Sequence, residues 1–481
     1  MRLSCRLFTL AALLFTVPVC AQEVPDSAAV GVTALGEQFV KAVRDTSSAF
    51  RLQTARIIYA PATLKRVSAD KLVGLFEQLR IEYGQLEYHH SELTHYVLHV
   101  YARSPLREKW LDIQARIEHE APYKILQVVF IAEVAEPVYL PNGPIQSPDV
   151  LTWLNSYVDK LVSDDDLSGS VLIAQGDSAI FERTFGFADP ARTREINPVT
   201  RFNLGSGNKM FTALGIMLLA AERKLSLDDS VSKYFKDFPY PDFAHRATIR
   251  HLLTHTSGLG DFWTDDYEKH WDKISTLRQI LPFVYADSVH FNPGDSFQYS
   301  NSGYILLGLI IERVSGMDYF KFVRTRIYEP LGMTHSDSYL QNDADTTLAL
   351  PLTRQGKRWQ VAPHGLRGSS AGGGYSTCRD MLLFIRGLLS YKIVDRATLK
   401  EMTTPMSSSR GKNFDYGYGF MIWRSESNVV SYGHAGQTYG VNFELRYYPQ
   451  KDLTTVLLCN QDNGAFDSLR HNIEKLVTGD R

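Results

Sequence analysis

Hydrophobic positions along this chain alternate between helical and strand-like spacing, and the alternation sets out its elements. Apolar residues recur at helical intervals over Ala34 to Val43 and Ala69 to Leu79, which predicts two helices. Strand-like runs follow at Thr94–Ala102, Lys109–Glu118 and Lys124–Val134. In the second, Leu111, Ile113, Ala115 and Ile117 alternate with Asp112, Gln114 and Arg116, as in a strand with one buried face. A Pro- and Gly-rich connection comes next, and Ser147-Pro148-Asp149 caps a predicted helix running to Val162. Beyond it lies a predicted hairpin, Ser170–Gln175 and Ser178–Phe187, turned by Gly176-Asp177. Further helices are predicted at Met210–Ala221, Tyr304–Val314 and Arg379–Leu389. A strand is predicted at Val441–Tyr448, with Val441, Phe443 and Leu445 facing inward.

These elements divide the chain into an N-terminal α+β accessory domain over 22–135, a linker over 136–149 and a larger domain over 150–481. Residues 1–21 stand apart. Arg2 and Arg6 precede an apolar run from Leu7 to Val19, and Ala21 sits at the expected cut. A spanning helix needs about 20 apolar residues, so the run is predicted to be a signal peptide. Cleavage would leave a mature start near Gln22, a periplasmic or secreted protein, and no stable membrane span. Cys20 offers a lipoprotein alternative, against which stands the bulk of Val19 before it.

Composition adds exclusions. The chain of 481 residues is 44% hydrophobic and 22% charged with a formal net charge of -2, and no basic stripe dominates. A nucleic-acid partner is therefore not expected. Removal of Cys5 and Cys20 leaves Cys378 and Cys459. An oxidising compartment would allow them to pair, but Cys459 ends an apolar run and reads as naturally as a buried thiol.

The candidate chemistry begins at Ser206-Gly-Asn-Lys209, which opens an apolar helix. Residues three apart on a helix share a face. A serine needs a neighbouring base to become a nucleophile, and a desolvated lysine can serve as one near neutral pH. The same spacing occurs at Ser68–Lys71, Ser230–Lys233 and Ser409–Lys412, so spacing alone decides nothing. Tyr299-Ser-Asn301 is the only Tyr-x-Asn, set between a turn and a helix. A phenol beside a cationic lysine is expected to have a lowered pKa and to shuttle a proton. His434-Ala-Gly436 is the only His-x-Gly, read as a turn before a strand. Gly436 would admit a substrate backbone, and the Gln437 N–H would donate to an oxyanion.

Taken in this order, Ser206/Lys209, Tyr299/Asn301 and His434/Gly436 resemble the serine β-lactamase and penicillin-binding superfamily, nearest its class C-like serine hydrolases. The phrases Thr248–Gly258, Tyr328–Met333 and Ser370–Gly374 resemble it too. The likeness runs over residues 150 to 478. It implies a β-lactamase/transpeptidase-like α/β (α+β) catalytic domain, with an antiparallel sheet flanked by helices and a helical region, and it implies no metal or organic cofactor. Ser206 would be the nucleophile, Lys209 its base and Tyr299 the proton relay. Asn301 would hold Lys209 and the substrate amide, with His434, Gly436 and Gln437 on the substrate-binding edge. The Ser206 and Gln437 N–H groups would form the oxyanion hole. Small-molecule or peptide substrates, cell-wall fragments among them, are the partners this implies.

Where class C β-lactamases carry lysine, His434 stands here, and a partly charged histidine favours a peptidase, amidase or esterase over a β-lactamase. A non-catalytic penicillin sensor is the rival from another class. Gly368-Ser-Ser370-Ala-Gly372 also fits the Gly-x-Ser-x-Gly elbow of α/β-hydrolases, with Asp380 and His434 following. Pro363 and Gly365 break the strand that an elbow requires. The N-terminal domain resembles the nuclear-transport-factor-like cone in outline only, and its partner is left open. Its His89, His90, His95 and His99 read as a wet strand face rather than a metal site, for want of a partner at ligand spacing.

Overall fold

The computed structural model describes residues 26–480 except 95–96, 119–121, 135–139, 142, 165–166, 340–345, 356–357, 364, 366, 409–413 and 462–463. The expected signal peptide, Cys20, His95 and the Ser409–Lys412 pair lie outside the described residues. The chain divides into two compact units, Met1–Val138 and Tyr139–Arg481.

In the first unit, helices Asp26–Arg44, Ser48–Ile58, Pro61–Arg66 and Ala69–Tyr83 precede four strands, Glu87–Thr94, Val97–Ser104, Lys109–Ile117 and Ile125–Val134. The strands form an antiparallel sheet in sequence order. Leu98, Val100 and Ala102 of one strand join Leu111, Ile113 and Ala115 of the next in a core with Phe39, Val43, Ile58 and Phe76. Arg51 fastens the helices together: buried, it donates to the Ala42 and Val43 carbonyls at 3.0 and 3.3 Å and pairs with Glu77. The first strand and the second helix escape the sequence reading because neither shows a clean apolar period.

The opposite sheet face carries His90 and His99. His99 lies 2.9 Å from the Asp112 carboxylate, and His90 stacks on Tyr101 at 4.5 Å. Asp112 is thus the acidic partner that spacing along the chain did not supply, because it comes from the neighbouring strand. Among the described residues, no group of three or more His, Cys, Asp or Glu is placed to hold a metal.

The second unit is built on an eight-stranded antiparallel sheet. From one edge its strands are Ser407–Ser408, Asp415–Tyr416, Met421–Arg424, Val430–Thr438, Val441–Tyr448, Leu453–Cys459, Gly169–Gln175 and Ser178–Phe185. The strand Val441–Tyr448 is buried along its whole length rather than on alternate residues. Phe443 and Leu445 enter the main core, which holds helices Lys209–Ala221 and Asn301–Ser315. On the other face Arg446 pairs with Glu444 and with Glu474 of the helix Ala465–Thr478, whose Arg470 also reaches Glu444. Helix cover on both faces explains the continuous burial. Cys378 and Cys459 are both buried free thiols.

The helix Lys209–Ala221 is apolar on every side and buried from Lys209 to Leu219, the pattern of a central helix. The helix Asn301–Ser315 is set by its ends: Ser300 accepts from the Gly303 N–H at 3.1 Å, and Gly316 closes it at φ 70°.

Candidate active site

Ser206 lies on a short 3-10 turn, Gly205–Asn208, between the strand Phe202–Asn203 and the central helix. The turn leaves Ser206 partly exposed while Lys209, the first helical residue, is wholly buried. Three acceptors meet the three donors of the lysine amine. Lys209 Nζ donates to Ser206 Oγ at 3.0 Å, to Asn301 Oδ1 at 2.7 Å, and to the Ala371 carbonyl. Burial lowers its pKa to about 7, against a smaller upward pull from Asp261. Near neutral pH the amine can therefore either hold a proton or take one from Ser206.

Tyr299 stands in the loop before the helix Asn301–Ser315. Its ring lies 4.8 Å from Lys209 Nζ and stacks on His255 at 4.1 Å. The expectation of a lowered phenol pKa is corrected here. Burial drives it upward, and the neighbouring Ser206 hydroxyl offsets only part of the rise. Desolvation of the phenolate sets the direction, and the Lys209 amine, about half protonated at neutral pH, does not reverse it. Tyr299 is thus a neutral hydroxyl at physiological pH, able to pass a proton along but not a standing base.

His434 lies within the strand Val430–Thr438 rather than in a turn. The ring is fully buried, with Nε2 2.9 Å from the Tyr416 hydroxyl and Nδ1 2.5 Å from the Ala435 carbonyl. Burial, then the Lys209 charge, push its pKa down to about 3. The partly charged imidazole expected from sequence is therefore a neutral one, with both nitrogens engaged. What this strand brings to Ser206 is its backbone. A Cβ on Gly436 would stand 2.0 Å from the Leu204 carbonyl oxygen and 2.9 Å from the Ser206 nitrogen. One on Gly205 would stand 3.1 Å from the Gln437 nitrogen. Glycine at both positions lets the strand edge and the nucleophile turn touch.

The Gly368–Gly374 segment closes another side. Its Ser369 and Ser370 carbonyls accept from Asn208 Nδ2 at 2.6 Å and Thr212 Oγ1 at 2.7 Å. The elbow arrangement is not assembled. Ser370 is buried against Gly308, where an added Cβ would meet its hydroxyl at 2.3 Å. Asp380 instead accepts from Ser336 and the His335 N–H at 2.7 and 2.8 Å. Of the other Ser-x-x-Lys pairs, Lys71 is exposed and Lys233 is bound to Asp229 at 2.7 Å.

Two residues at the site were not assigned a part from sequence. His255, inside the phrase Thr248–Gly258, is buried and accepts from the Ser300 N–H at 3.0 Å while backing Tyr299. Asp261 accepts from Asn301 Nδ2 at 2.7 Å. Both belong to a loop whose period carries no signal, and only pairing in space reveals them.

Residues 154–479 match the beta-lactamase family. Over 331 residues the chain is 29% identical to penicillin-binding protein 4* of Bacillus subtilis (strain 168), covering 64% of this chain and 71% of that protein. The solved penicillin binding protein from Bacillus halodurans is 31% identical with a TM-score of 0.61, covering 67% of this chain and 99% of that one. A D-stereospecific amidohydrolase from Streptomyces sp. is 25% identical with a TM-score of 0.56, covering 69% and 99%. The transpeptidase-like fold expected from the three motifs is thus the fold found. The chain belongs to the beta-lactamase family, as a serine hydrolase of the β-lactamase and penicillin-binding-protein group.

Proposed function

We propose that the protein is an exported hydrolase that forms a covalent acyl-enzyme on Ser206. Its substrates would be amides, peptides or esters of the D-Ala-D-Ala carboxypeptidase, D-aminopeptidase or esterase type. The observation that carries this reading is a buried lysine amine 3.0 Å from Ser206 Oγ with its pKa held at about 7. In the first step neutral Lys209 takes the hydroxyl proton as Ser206 Oγ attacks the carbonyl carbon. The Ser206 and Gln437 N–H groups would receive the oxyanion. The proton then passes by way of Tyr299 to the leaving amine or alcohol as its bond to the carbonyl breaks. Water repeats the sequence in reverse and frees the acid. Asn301 would hold Lys209 and meet the substrate amide.

Within that range the neutral, enclosed His434 favours the D-aminopeptidase and esterase types, whose substrates bring no carboxylate to that edge, and weighs against both the carboxypeptidase type and an efficient β-lactamase. Likeness to a D-stereospecific amidohydrolase points the same way. Intact-mass analysis of the exported protein, after exposure to p-nitrophenyl butyrate and to a fluorescent penicillin, tests both parts. A mature chain starting near Gln22, with an acyl adduct mapping to the peptide containing Ser206, is expected. An adduct elsewhere, or none from any activated ester or penicillin, would sink the assignment and favour a non-catalytic sensor.

The pH dependence follows from the same lysine. Lys209 acts as base only without its proton, so kcat/KM should rise through a single acid limb near pH 7 and level above it. A profile flat from pH 5 to 9 would exclude Lys209 as that base.

A further inference from the structure

We propose that Asp261 is a positioning residue for this site, holding the Asn301 amide so that its oxygen meets Lys209 and setting a negative charge beside that lysine. The inference rests on the acyl-transfer reading above. Asp261 is placed with more care than a surface acid needs. Its N–H donates to Asp287 Oδ2 at 2.8 Å, and the Gly260 carbonyl before it accepts from Ser300 Oγ at 2.7 Å. A Cβ on Gly260 would lie 1.8 Å from the same Asp287 oxygen, so the close approach of this backbone to Asp287 requires glycine. The Asp261 side chain accepts from the Trp263 N–H at 3.0 Å through Oδ1 and from Asn301 Nδ2 at 2.7 Å through Oδ2.

An amide has nearly the same shape at both ends, so nothing in Asn301 alone decides which end faces Lys209. A carboxylate only accepts hydrogen bonds, which commits Nδ2 to Asp261 and leaves Oδ1 for the lysine. The line Asp261, Asn301, Lys209, Ser206 is then a chain of oriented contacts at 2.7, 2.7 and 3.0 Å. The other groups facing Lys209 are the Tyr299 and Tyr304 rings at 4.8 and 5.5 Å, the Ala371 carbonyl, and His434 across the site. Among the described residues Asp261 is the acid acting on it, and its charge draws the lysine pKa upward against burial. Burial raises the Asp261 pKa in turn, while the bonds from Trp263 and Asn301 and the Lys209 charge oppose that rise.

The test is the pH profile of p-nitrophenyl butyrate hydrolysis by the full chain carrying Asp261→Asn or Asp261→Ala. Loss of the charge in Asp261→Asn should move the acid limb of kcat/KM to lower pH, with kcat on the plateau lowered less than in Asp261→Ala because the new amide oxygen can still accept from Asn301. Asp261→Ala also frees the amide to turn and should lower kcat by about tenfold with KM far less affected. If the alanine variant does not fold, as read by thermal melting, the near-isosteric asparagine variant still decides the matter. A limb that stays in place or moves upward in Asp261→Asn, with the Ser206 adduct intact, overturns the role of Asp261 alone. A wild type without that adduct removes the acyl-transfer reading with it.

Discussion

Replacing Lys209 with methionine should lower kcat for p-nitrophenyl butyrate by about 10^4-fold or more, while leaving the protein as stable as wild type or more so. The activity loss follows because Ser206 would retain no group able to take its proton. Tyr299 cannot substitute, its own pKa being driven up by burial. The stability argument runs the other way. Lys209 sits at about 7 against an ordinary 10.5, a displacement worth roughly 5 kcal/mol of cost to the fold at or below neutral pH. Between those two values the unfolded chain binds a proton that the folded chain does not. Stability therefore rises with pH through that window and is lowest below it. Methionine fills similar volume without charge, but orphans Asn301 Oδ1 and the Ala371 carbonyl. A net gain of up to about 3 kcal/mol at pH 7 is expected from these opposed terms. Calorimetry beside single-turnover kinetics checks both halves, and a variant that is less stable and still active would contradict both.

Gly436→Ala should lower kcat/KM by about 10^2- to 10^3-fold and also lower the melting temperature. The added methyl would stand 2.0 Å from the Leu204 carbonyl oxygen, and that atom is backbone, so no side chain can rotate away. Either the strand Val430–Thr438 retreats from the nucleophile turn or the turn gives way, and both move Ser206 relative to the Gln437 N–H. Gln437→Ala is the control. It keeps the N–H and removes only an exposed side chain, so activity within a few-fold of wild type is expected. Comparable losses in both variants would locate the effect in the glutamine side chain instead.

Much of this arrangement is readable in the sequence because it rests on local signals. The apolar run after Lys209 makes a buried helix, and the single Tyr-x-Asn and His-x-Gly identify what packs against it. The charge states are less readable, since they depend on burial. Sequence implied a lowered phenol pKa at Tyr299 and a partly charged His434, and desolvation reverses the first and neutralises the second. Asp261, His255 and the His99–Asp112 pair have no local pattern at all. Each is defined by a partner on another strand or loop, which no period along the chain encodes.

The sheet order bears on when this enzyme can exist during its own synthesis. The strand Leu453–Cys459 pairs with Gly169–Gln175, so that Cys459 faces Gly169. The strand carrying His434 and Gly436 joins that early hairpin only through two strands made after it. Until the last strand has left the ribosome, the hairpin lacks its neighbour and the edge that meets Ser206 has no support beyond Tyr448. Contacts so distant along the chain form slowly, so the sheet is among the last parts of the domain to close. A chain stopped before Leu453 would keep Ser206, Lys209, Tyr299 and His434, yet have no completed sheet to hold them together.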